Sequence, residues 1–81
     1  MGQKPIDVIV GERLLALRTL RGVGLDQLGA VLGLTGDEVA AFETGLVRIP
    51  PQHLIAVCRF FQVELNSLFP SLDSDHDPNL H

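Results

Sequence analysis

Residues 25–43 read LDQLGAVLGLTGDEVAAFE, and this stretch decides the fold. Leu28, Val31 and Leu32 lie three and four residues apart, the spacing of one face of a short helix. Gly33 stops that helix, because glycine readily takes the left-handed conformation that closes a helix C-terminus. Leu34 then follows as a buried turn residue. Thr35 is placed to cap a third helix, and Glu38 three residues on completes a Thr-Gly-Asp-Glu capping box. Val39 and Phe42 point inward from this helix, which stops at Gly45. Two short helices joined through Gly33-Leu34 form the tight turn of a helix-turn-helix unit.

The same periodicity extends on both sides. Upstream, a helix is expected from near Asp7, with Val10, Leu14, Leu17 and Leu20 on its inner face. Arg13, Arg18 and Arg21 mark its polar side and its C-terminal end, where cations suit the helix dipole. Gly22 and Gly24 end it. Downstream, Pro51 opens a fourth helix, where its missing N–H is harmless, and Leu54, Val57, Cys58 and Phe61 form its inner stripe. A fifth short helix near Glu64 to Phe69 supplies Leu65, Leu68 and Phe69. The expected fold is all-α, a compact five-helix domain over residues 7–70. Residues 1–6 read as a loose arm. Residues 71–81, with three Asp and two His, read as a disordered acidic tail.

Composition narrows the function. The chain has 81 residues and 46% hydrophobic content, enough for one thinly stabilised domain. A single cysteine, Cys58, excludes an intrachain disulfide and suits a reducing cytoplasmic setting. No apolar run approaches the ~20 residues of a bilayer span. No metal-ligand spacing, cofactor motif, small-molecule signature or catalytic constellation is visible, so neither an enzyme nor a metal or cofactor protein is expected. Gly22-Val23-Gly24 ends a helix, and no strand precedes it as a nucleotide loop requires.

Several segments together resemble the Cro/C1-type (XRE-like) helix-turn-helix family over roughly residues 10–69. They are Val10-Gly11-Glu12-Arg13-Leu14, Leu17-Arg18, Leu28-Gly29, Leu32-Gly33-Leu34-Thr35, Val39, Phe42-Glu43-Thr44-Gly45 and Val63-Glu64-Leu65-Asn66-Ser67-Leu68-Phe69. The resemblance implies a lambda-repressor-like domain whose third helix enters the major groove. It also implies an ion pair between Arg18 and Glu43 that pins the third helix to the first. Many members dimerise through their C-terminal helices, so a homodimer is expected, with Phe60, Leu65 and Phe69 as its candidate surface.

The surface that should meet DNA departs from the pattern. Where the family has Ser/Thr-Gln at the start of helix two, this chain has Gly24-Leu25. Thr35, Gly36, Asp37 and Glu38 stand at the head of helix three, with Ala41 and Thr44 further along, and Leu46, Val47 and Arg48 in the following loop. Between Gly22 and Val47 there is no Lys or Arg, against Asp26, Asp37, Glu38 and Glu43. Phosphate contacts use cations and base edges are read mostly by Arg, Lys, Asn and Gln. The leading expectation is therefore a small regulator that works through protein contacts, with weak or no DNA binding. The alternative is a sequence-specific, homodimeric DNA-binding repressor. Within the surface itself, Leu25 and Ile49 are as compatible with folding inward as with exposure, Cys58 reads as a buried inert thiol, and His53 as a surface residue.

Overall fold

A computed structural model describes residues 5–69. It contains α1 (Ile6–Leu20), α2 (Leu25–Leu32), α3 (Gly36–Glu43) and α4 (Pro51–Phe61), followed by a single 3-10 turn, Leu65–Ser67. Among the described residues the fold is all-helical. It has four α-helices, and the expected fifth is reduced to the 3-10 turn. Asn66 and Ser67 compete with the backbone for hydrogen bonds, and Pro70 follows too closely in the sequence for another helical turn. The proposed tail and most of the proposed arm lie outside the described residues. Helix α1 begins at Ile6, one residue earlier than expected.

The core is aliphatic with two phenylalanines. Val10 and Leu14 from α1, Leu28 and Leu32 from α2, and Val39 and Phe42 from α3 meet Leu54, Val57, Cys58 and Phe61 from α4, with Ile49 and Leu68 filling the ends. Leu20 is not part of it and is 79% exposed. At 100° per residue the inner stripe of α1 drifts from Leu14 through Leu17 to Arg18, which leaves Leu20 on the outer side.

Local chemistry sets the two turns. Gly33 adopts φ 75° at the end of α2, and its N–H and that of Leu34 donate to the Ala30 and Gly29 carbonyls. At the head of α3, Thr35 Oγ1 accepts from Glu38 N at 3.1 Å, and Glu38 Oε1 accepts from Thr35 N at 2.9 Å. The expected capping box is thus formed in both directions. At the head of α2 only half of a box exists. Gln27 Oε1 accepts from Gly24 N at 3.2 Å, but Gly24 has no side chain to return the bond.

Two glycines bring the helices close. A Cβ at Gly11 would fall on the carbonyl oxygens of Phe42 and Glu43, so α1 touches the end of α3 through bare backbone. Gly29 meets the Leu34 and Thr35 carbonyls in the same way. Neither a larger residue nor a modest shift would preserve this spacing.

Candidate functional site

Helix α3 is held from behind and left open in front. Its inner side buries Gly36, Val39, Phe42 and Glu43. Arg18 reaches from α1 and donates from Nε to Glu43 Oε2 at 2.5 Å and from Nη2 to Oε1 at 3.1 Å; its Nη1 donates to the Val23 carbonyl at 2.9 Å. The ion pair implied by the family resemblance is therefore present. The two side chains keep only 12% and 6% of their surface. The carboxylate holds the Arg18 guanidinium protonated to a higher pH than an ordinary arginine. One charged residue thus ties α1, the α1–α2 loop and the C-terminal end of α3 together.

The outer side of α3 carries Asp37, Glu38 and Thr44 exposed, with Ala40 and Ala41 half-buried. Leu46 and Val47 continue it into the loop at 81% and 47% exposure. Arg48 is also exposed, and its Nε donates to Asp7 Oδ1 at 3.1 Å. The cation that follows Leu46 and Val47 in the loop is therefore already engaged with a carboxylate of α1.

Two of the candidate residues are withdrawn from the face, one in part and one wholly. Leu25 is half-buried against the core. Gly36 is buried, and a Cβ on it would fall on the Asp26 carboxylate. Asp26 of α2 lies over the head of α3 and covers Gly36, while Asp37 and Glu38 of the same turn stay exposed. Ile49 also folds inward, so the apolar part of the face reduces to Leu46 and Val47.

A shallow cleft opens beside these residues. It has a volume of about 280 Å³ and is lined by Leu34, Glu38, Ala41, Phe42, Val47, Pro50 and His53. The His53 ring lies 6.2 Å from that of Phe42, so His53 is half-buried rather than a surface residue. Sequence spacing alone did not place it there, since the cleft exists only once α4 packs against α3.

The candidate dimer residues divide. Leu65 and Phe69 line a groove of about 520 Å³ with Ile6, Val10, Ile49 and Leu54, at the edge of which stand Asp7 and Arg48. Phe60 lies apart from this groove, exposed on α4 and edge-on to Phe61 at 4.9 Å. Cys58 is buried, and burial pushes its thiol above the ordinary range, which suppresses the reactive thiolate. Among the described residues no group of His, Cys, Asp and Glu could hold a metal ion, and no helix is long and apolar enough to cross a membrane.

No family model matches the chain. Over 71 residues it is 30% identical to uncharacterized HTH-type transcriptional regulators of Sinorhizobium medicae and Rhizobium meliloti. The match covers 88% of this chain but 51% of each relative, so the chain spans about half the length of the curated relatives it matches. Its fold is similar to that of the clp gene regulator ClgR from Corynebacterium glutamicum, with a TM-score of 0.75 at 18% identity over 82% of this chain and 86% of that one. It is also similar to the restriction-modification controller protein C.AhdI from Aeromonas hydrophila. There the TM-score is 0.70 at 27% identity, over 76% of this chain and 90% of the other. With its two-way Thr35–Glu38 box, its Gly33 turn and its Arg18–Glu43 pair, the chain has the helix-turn-helix architecture of these regulators and resembles the Cro/C1-type (XRE-like) family.

Proposed function

We propose that this domain regulates transcription by binding DNA through α3 as a homodimer, in the cytoplasm and without catalytic activity. The observation that carries this reading is a helix of the helix-turn-helix unit fixed firmly on its inner side and uncovered on its outer side. The relatives, named as transcriptional regulators, favour this reading over one based on protein contacts alone.

The chemistry of the face then sets how DNA is read. Phosphate contacts are few, because Arg18 is spent on Glu43 behind α3 and Arg48, in the loop that follows α3, is shared with Asp7. Direct readout rests on Thr44 and on Asp37, whose carboxylate can accept a hydrogen bond from the cytosine N4 amine. Affinity is accordingly modest for one domain. A two-fold dimer compensates by placing two heads on half-sites about one helical turn, roughly 34–36 Å, apart. Leu65 and Phe69 in their groove, and Phe60 on α4, are the apolar residues offered to such a dimer.

The test is a fluorescence anisotropy titration against a mixed genomic DNA pool at low and at physiological salt. The expected result is binding at low salt that weakens as salt rises. Folded protein that does not bind at low salt would overturn the reading. Sedimentation of Leu65→Glu checks the dimer, with a shift toward monomer expected.

A further inference from the structure

The face that should meet a polyanion is acidic and partly apolar, and that mismatch points to a second occupant. The Asp37 carboxylate has no hydrogen-bond or ion-pair partner among the described residues, and neither has that of Asp26, which lies over Gly36 at the head of the same helix. Glu38 is tied into the cap, but its charge remains at the surface and on the rim of the cleft. No Lys or Arg occurs from Gly22 to Val47 to offset these three carboxylates. Beside them stand Leu46 and Val47, both exposed, and a cleft whose apolar lining includes Leu34, Ala41 and Phe42.

Exposed aliphatic residues next to an apolar cleft, flanked by three carboxylates and with the following Arg48 drawn onto Asp7, are the pattern of a protein-docking site. Charge selects the partner, because juxtaposed like charges disfavour the wrong one and opposite charges speed encounter. We infer that the outer face of α3 and the cleft under Val47 dock a cationic amphipathic segment of another protein, one aliphatic or aromatic anchor entering the cleft and flanking Lys or Arg meeting Asp26, Asp37 and Glu38. Such a segment covers α3. It therefore competes with DNA for the same surface, and this inference extends the proposed function by naming what displaces DNA from it.

An anchor in the cleft supplies position and the charges supply selectivity. A helix-in-groove mode fits this division, with the anchor on one face and the cations one turn to either side.

The probe is a fluorescein-labelled helical peptide of leucine and lysine with one apolar face, titrated with the full chain. A leucine and glutamate peptide of the same pattern is the control. The lysine peptide is expected to bind, and the glutamate peptide to bind at least tenfold more weakly. Leu46→Ser combined with Val47→Ser should weaken lysine-peptide binding at least tenfold, and Asp37→Asn by several-fold. Leu20→Ser, which removes an equally exposed leucine from the end of α1, should leave it unchanged. No binding, equal binding of the two peptides, or indifference to the Leu46 and Val47 substitutions would each overturn the inference. DNA binding is measured on the same samples. DNA binding without peptide binding sinks this inference and leaves the proposed function standing, and peptide binding without DNA binding does the reverse.

Discussion

Arg18 grips Glu43 with two nitrogens across the α1–α3 contact, at 2.5 and 3.1 Å, and uses its third on the Val23 carbonyl. Both side chains are almost fully withdrawn from water. A buried pair of this kind is weak evidence of net stabilisation, but removing one partner strands the other. Arg18→Met is therefore expected to cost about 3–5 kcal/mol in urea denaturation. Arg18→Met with Glu43→Leu should recover much of that loss, because no uncompensated charge remains. A single variant as stable as the parent would show that the pair does not hold α3. Because the folded pKa of Arg18 is raised, its contribution is complete below the unfolded value and is lost only as pH climbs through the folded one. That window lies above the ordinary arginine range, so alkaline titration of Arg18 does not limit the protein near neutral pH.

Gly11 and Gly24 should respond oppositely to the same chemistry. A methyl at Gly11 would collide with the backbone carbonyls that end α3. Gly11→Ala is expected to destabilise by about 1–3 kcal/mol through overpacking. Gly24 has open space around it and an extended φ of −79° at the head of α2. Gly24→Ser supplies the missing hydroxyl of the half-formed box and should raise stability by ~0.3 kcal/mol. Thermal melts of the two variants check both signs.

Cys58 should be inert in the folded protein. Its burial raises the thiol pKa, so the thiolate is scarce at neutral pH. Modification by a thiol reagent is expected only on unfolding, at a rate that follows the opening equilibrium. A raised folded pKa also means that stability is complete below the unfolded value and declines as pH rises through the folded one. The denaturation midpoint should accordingly fall above about pH 9, starting from the ordinary thiol value of 9.0, and Cys58→Ala should remove that part of the fall. Rapid labelling of native protein would contradict the buried placement.

These residues show where sequence carries the fold. The Thr35–Glu38 box, the Gly33 turn and the inner stripe of α4 were legible because each depends on neighbours within one helical turn. The Arg18–Glu43 pair was implied by the family resemblance. Leu20 was misplaced because a stripe at spacings of four, three and three slowly rotates off the core. The fifth helix failed because two polar residues and a proline leave too few hydrogen bonds to nucleate it. At the candidate site, Asp37, Glu38, Leu46 and Val47 stand at the surface as read. Gly36 is buried, Leu25, which the sequence left open, is half-buried, and His53 joined a cleft. All three depend on how α2 and α4 cross α3, which spacing along the chain does not encode.

Leu46→Lys with Val47→Lys separates the two uses of the face. Both side chains are exposed, so stability should hardly change. DNA affinity at low salt should rise, and the dependence of log K on log salt should steepen by about 0.9 for each new phosphate contact. Binding of the cationic peptide should fall sharply. If DNA affinity stays flat, the α3 face is not where DNA binds.

The backbone of α3 is fixed by Gly11, Val39, Phe42 and Glu43, all on the side turned away from solvent. The Asp37 and Thr44 side chains take no part in that attachment, and half-buried Ala41 lines the cleft. Scaffold and reading surface are therefore separable alphabets. Randomising these three positions together should yield a library whose members nearly all fold, so that selection acts on recognition alone and the domain serves as a chassis for new binding preferences.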